Sequence, residues 1–83
     1  MVTYKIKTND AEAQAILTGD IMHIIRNVPA IKRGDILKFQ VVKNMKSVYH
    51  PIGTHTYRVT RVDDYLTAPI AQYNKLISFR EIP

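Results

Sequence analysis

The chain opens on an alternation in which Val2, Tyr4 and Ile6 take turns with Thr3, Lys5 and Lys7. Successive side chains of a strand point to opposite faces, so this period of two predicts a first strand with its apolar residues toward a core and its cations in solvent. The pattern then changes. Ala13, Ile16 and Leu17 share one helical face. Asn9 and Glu12 form a capping-box pair, the asparagine placed to accept a backbone N–H and the glutamate to reach back. Asp10 and Glu12 suit the positive end of a helix dipole. A helix from about Asp10 to Thr18 follows, and Gly19 stands where a left-handed cap favours glycine.

Ile21 to Asn27 is apolar, β-branched and too short for a second helix, and it is bounded by Pro29. This predicts a buried strand with Ile21, His23 and Ile25 on one face and Met22, Ile24 and Arg26 on the other, both largely covered. His23 is expected as a core histidine with one bonded ring nitrogen, a pocket base being the alternative. The stretch Asn27 to Asp35, with Pro29 and Gly34, reads as a polar turn exposing Lys32 and Arg33. Ile36 to Val42 then directs Leu37, Phe39 and Val41 inward and Lys38 and Gln40 outward.

Lys43 to Thr54 reads as a long connection carrying Lys46, Tyr49 and His50 around Pro51 and Gly53, either a mobile hairpin tip or a binding loop. His55 to Asp63 is a fourth strand in which Val62 falls out of phase with Tyr57 and Val59, a mismatch that a bulge near Thr60 repairs. Antiparallel pairing with the preceding strand sets Arg58 on the outer face of Lys38. Asp64 to Asn74, with Pro69, reads as a crossover loop containing one helical turn. Lys75 to Ile82 closes the sheet, with Ile77 and Phe79 inward. The fold class expected is mainly β with one α-helix (α+β), residues 1–83 forming one domain, a small curved or closed β-barrel of about five strands, rich in antiparallel pairs.

At 83 residues without repeats or low-complexity tracts, the chain is near the lower limit for a single unstapled core. The absence of cysteine excludes disulfides and thiolate metal sites. No apolar run reaches the roughly 20 residues that span a bilayer, and MVTYKIKTND lacks a signal-peptide pattern, so a cytoplasmic protein without a membrane partner is expected. The formal charge of +5 and pI near 9.7 favour polyanions, against the plain alternative of a solvated cationic exterior.

Gly19 after the helix, Arg26 closing the next strand, and Gly34 with Asp35 opening the one after occur in the order and spacing of a known family. In these residues, and in a β-α-β-β-β-β order over most of its length, the chain resembles the ASCH branch of the PUA-like β-barrel superfamily, in particular its small single-domain bacterial and phage proteins of unassigned function. The resemblance implies a barrel with a cleft beside the helix, in a superfamily whose members often bind RNA. Some ASCH-like proteins are similar to amidohydrolases that cleave acylated cytidine with a lysine, a threonine and a glutamate. Here the lysine position is Ile21 and the threonine position is Ile24, neither of which transfers a proton or attacks a carbonyl, and Glu81 lies too near the C-terminus to match the third. Hydrolysis of N4-acetylcytidine is therefore not expected.

Other chemistry finds little residue supply. There is no glycine-rich phosphate loop, GxSxG elbow or HExxH helix, and His50 and His55, flanking a Pro-Gly turn, lack the spacing of a zinc site. Asp63 and Asp64 are adjacent on a strand end and point apart. No catalytic residue, cofactor or metal is assigned. The leading reading is a nucleic-acid-binding module, RNA first, that uses Arg26, Lys32 and Arg33 at a cleft rim with Lys38 and Arg58 as flanking phosphate contacts. The alternative is a protein-interaction or regulatory domain on the same barrel. For Arg26 the structural alternative is an internal ion pair with Asp20 or Asp35.

Overall fold

A computed structural model describes residues 1–67 and 72–83. Its elements run β1 (Thr3–Thr8), α1 (Asp10–Leu17), β2 (His23–Arg26), β3 (Ile36–Lys43), β4 (Lys46–Ser47), a 3-10 helix (Pro51–Thr54), β5 (Thr56–Thr67) and β6 (Gln72–Ile82). The protein is mainly β with one α-helix, its strands forming one open six-stranded sheet. The order across the sheet is β1-β3-β5-β6-β2, with β4 paired to β3 beyond this path. β1 lies parallel to β3, and every other pairing is antiparallel. Among the described residues no helix is long and apolar enough to cross a membrane.

The alternations read from the sequence define the inner face. Ile6, Leu37, Phe39, Val41, Tyr57, Val59, Ile77 and Phe79 are buried there, joined by Ala13 and Ile16 from α1 and by Ile52 from the 3-10 helix. Phe39, Tyr57 and Phe79 meet at ring-centroid distances of 5.4 to 5.5 Å, two of the three pairs edge-on. Edge-on contact sets the positive rim of one ring against the negative face of another. Among the described residues the Tyr57 hydroxyl has no hydrogen-bond partner. Burial, with the Glu81 carboxylate adding to it, pushes that hydroxyl above the ordinary tyrosine value.

α1 ends as its glycine predicts. Gly19 has φ +85°, and the N–H groups of Gly19 and Asp20 reach back to Ile16 O and Ala15 O, the paired bonds of a Schellman cap. The N-terminal capping box is only half made. Glu12 N–H donates to Asn9 Oδ1 at 2.7 Å, but the Glu12 carboxylate turns toward Thr8 and Arg26 instead of the Asn9 backbone.

Several expectations need correction. β2 ends the sheet beside β6, and His23 and Ile25, alternating with the buried Ile24, point to the outer face and are exposed; His23 is not a core histidine. Val2 precedes β1 and is likewise exposed. The crossover loop expected over Asp64 to Asn74 is replaced by continued strand to Thr67 and from Gln72, with Lys75 bonded across the ladder to Asp64. Antiparallel neighbours need no crossover, and Tyr65, Leu66 and Thr67 are good strand formers. Pro69 lies outside the described residues. Lys43 to Thr54 also contains regular structure, a tight β3–β4 hairpin and the 3-10 helix, which brings the strand count to six. The bulge falls at Thr60, between the Val59 and Arg61 registers.

Candidate functional site

The turn before β3 is built around Asp35. Its backbone N–H closes a four-residue turn to Lys32 O at 3.1 Å, with Gly34 at the third position and φ +95°, as a type II turn requires. The carboxylate, 2 % exposed, accepts Val2 N–H on Oδ1 and Lys32 N–H on Oδ2, both at 3.1 Å. Burial by itself raises the Asp35 carboxyl, but these two bonds and the positive charges of the N-terminus and Lys32 outweigh it and hold the group below the ordinary aspartate value. Val59 brackets the same turn, accepting from Gly34 N–H at 2.9 Å and donating to Asp35 O at 2.8 Å. Lys32 and Arg33 are thereby presented to solvent from a fixed frame.

Cations gather on the outer face of the sheet. Lys5 stands opposite Lys38 in the β1–β3 ladder, Arg58 opposite Ile36 in β3–β5, and Arg58 opposite Arg80 in β5–β6. Each alternates with a buried neighbour, namely Ile6, Phe39, Tyr57 or Phe79, so all four point away from the core. They form a row across four adjacent strands. Among the described residues none of the four has a carboxylate within ion-pair distance, whereas Arg61 on the same face is matched by Asp63 at 2.8 Å. Two of the cross-strand pairs, Lys5 with Lys38 and Arg58 with Arg80, set like charges directly opposite, an arrangement that opposes folding.

Arg26 lies elsewhere. It stands opposite Lys75 on the core-facing side, beyond Ile24, and is half-buried. Its Nη2 contacts Glu12 Oε1 at 2.5 Å and Lys7 O at 3.3 Å, and its Nη1 donates to Ile25 O at 2.9 Å. The expected internal partners, Asp20 and Asp35, are not the ones used. Asp20 accepts from the Thr18 hydroxyl, Asp35 serves its own turn, and the carboxylate beside Arg26 comes from the first turn of α1. A hollow beside the helix is lined by Lys7, Thr8, Asn9, Glu12, Arg26 and Val42. Of its two cations, Arg26 is already neutralised.

Of the five residues singled out from the sequence, Lys38 and Arg58 lie on the outer face, Lys32 and Arg33 are exposed on the turn before β3, and Arg26 is on the other side of the sheet. Lys5 and Arg80 were missed as members of the row. The alternation placed Lys5 in solvent, but its neighbour depends on the parallel β1–β3 register, which no local pattern encodes. Among the described residues no three metal-binding side chains come together. His50 accepts Ile52 N–H on Nδ1 at 3.1 Å, and His55 lies 2.5 Å from Glu81. No protein-family model matches the chain, and no curated protein matches it.

Proposed function

We propose that this chain is a small nucleic-acid-binding module, with RNA as its first ligand, that receives phosphates along the outer face from Lys32 and Arg33 across Arg58 and Arg80 to Lys38 and Lys5. The observation that carries the reading is the pair of like-charge cross-strand positions with no carboxylate among the described residues within ion-pair distance. Such pairings cost stability within the free protein and are relieved by a polyanion. On this reading Arg26 is a structural residue, fixed by Glu12, and not a contact to a phosphate or base.

We also propose that the sheet is the wall of a PUA-like barrel of the ASCH branch. In support, Gly19 ends the helix, Arg26 closes the following strand, and Gly34 and Asp35 open the next. The Arg26 side chain also bridges the outermost strands of the sheet by reaching Lys7 O from β2. The test of function is titration of a fluorescein-labelled RNA oligomer with wild type and with Lys38→Ala, Arg58→Ala, Arg80→Ala and Arg26→Ala. The three outer-face variants weaken binding whatever the sequence, and Arg26→Ala leaves it unchanged. Loss of affinity confined to Arg26→Ala contradicts the assignment.

A further inference from the structure

The row of cations leads into a groove beside the β3–β4 hairpin. β1 runs along one edge of β3, while on the other edge β5 pairs with its start and β4 with its end, so the middle of that second edge borders the 3-10 helix instead of a strand. A groove of about 340 Å³ opens there, with Gln40, Ser47, Tyr49, His50 and Gly53 among its walls. A second hollow, lined by Lys5, Lys38, Phe39, Gln40 and Gly53, shares three of its residues with the first, so the two adjoin. Among the described residues no acidic side chain lines either.

Two residues past the hairpin, Tyr49 lines this groove and carries an exposed aromatic ring. Tyr49 is 86 % exposed, yet its neighbours are fixed: Val48 N–H donates to Val41 O at 3.0 Å, Gln40 is hydrogen-bonded to Ser47, and His50 caps the 3-10 helix. An exposed ring on an anchored strap loses little freedom when it receives a planar partner. Lys5 and Lys38 supply unpaired charge at the other end, and the first groove falls within the roughly 300–1,000 Å³ of small-ligand sites. A flat ring with clustered cations is the pairing that recognises unstacked nucleotides, because every base has a face to stack and a phosphate beside it.

We propose that this groove takes one nucleotide of single-stranded RNA, its base stacked on Tyr49 and its flanking phosphates held by Lys5 and Lys38. The inference rests on the nucleic-acid reading above and narrows it, since a duplex keeps its base faces stacked inside and cannot offer one to Tyr49.

The test titrates the full chain with a labelled single-stranded uridine octamer and with a duplex of equal length, at two salt concentrations. Tyr49→Ala weakens octamer binding by about 5- to 100-fold at unchanged salt slope, while Tyr49→Phe, which keeps the ring, stays near wild type. Lys38→Ala instead reduces the salt slope by about 0.7. Tyr49 is exposed, so an unchanged melting temperature checks that its variants fold. RNA binding by wild type that is indifferent to Tyr49→Ala, or equal for duplex and single strand, overturns the groove and leaves the outer-face reading standing. No binding of either RNA at low salt overturns that reading as well, and assigns the exposed Met45, Val48 and Tyr49 to a protein partner.

Discussion

At the scale of single residues, two charged groups hold local structure together, and each makes a prediction. Arg26 joins β2, the first turn of α1 and the end of β1 through Glu12 and Lys7 O, with both charged side chains less than a third exposed. Replacing it leaves the Glu12 carboxylate, among the described residues, with only the Thr8 hydroxyl as a polar side-chain partner. Arg26→Ala should therefore cost about 1–3 kcal/mol, between the values for exposed and fully buried ion pairs, measured by urea denaturation. Asp35 gives a pH signature. Its folded-state value is depressed, so its contribution is fully present above the ordinary aspartate range and is lost as pH falls through the folded value. Asp35→Asn keeps the shape but turns an amide N–H₂ toward one of two N–H donors. Denaturation curves should show the variant less stable than wild type at pH 7, with the gap narrowing once the pH drops below about 4. A gap that is constant down to pH 2 contradicts the account.

At the scale of elements, the β3–β4 hairpin turns on Asn44 and Met45, with φ of 52° and 64°. Two left-handed residues between Lys43 and Lys46 make the type I′ turn that matches strand twist, but asparagine-glycine is the sequence that favours it. Met45 is 97 % exposed, so its side chain contributes no packing to offset the strained backbone. Met45→Gly should stabilise the protein by about 0.5–1 kcal/mol, the relieved strain being partly cancelled by the freer unfolded chain, and thermal unfolding measures it. This hairpin is hard to read from sequence because Asn-Met is not a recognised turn pair and β4 is only two residues long. Elements with a repeating pattern are legible. The alternations in β1, β3 and β6, the helix bounded by Asn9 and Gly19, and the bulge at Thr60 can all be read, because each is encoded within its own segment. What depends on neighbours cannot. His23 and Ile25 are exposed because they point to the outer, solvent-facing side of the sheet, and the strand tracts of β5 and β6 beyond Asp64 are specified by each other. Among the site residues, Lys32, Arg33, Lys38 and Arg58 are legible as cations pointing away from the core, with Lys38 half-buried, whereas Lys5 and Arg80 acquire meaning only from cross-strand register.

At the scale of the whole molecule, a net charge of +5 is spread unevenly. Glu12 holds Arg26, Asp64 holds Lys75 and Asp35 ties a turn, and on the outer face Asp63 is paired with Arg61, while among the described residues Lys5, Lys38, Arg58 and Arg80 cross that face unmatched. That separation makes one face attractive to phosphates without weakening the joints of the fold. The central claim is that this face binds a polyanion by releasing its counterions, and the slope of log K against log salt for RNA binding tests it most directly. Wild type should give a steep negative slope, and Lys38→Ala/Arg58→Ala/Arg80→Ala should make it shallower by about 2, near 0.7 for each phosphate that is no longer neutralised. A wild-type slope near zero, or a triple variant whose slope equals that of wild type, would contradict the account.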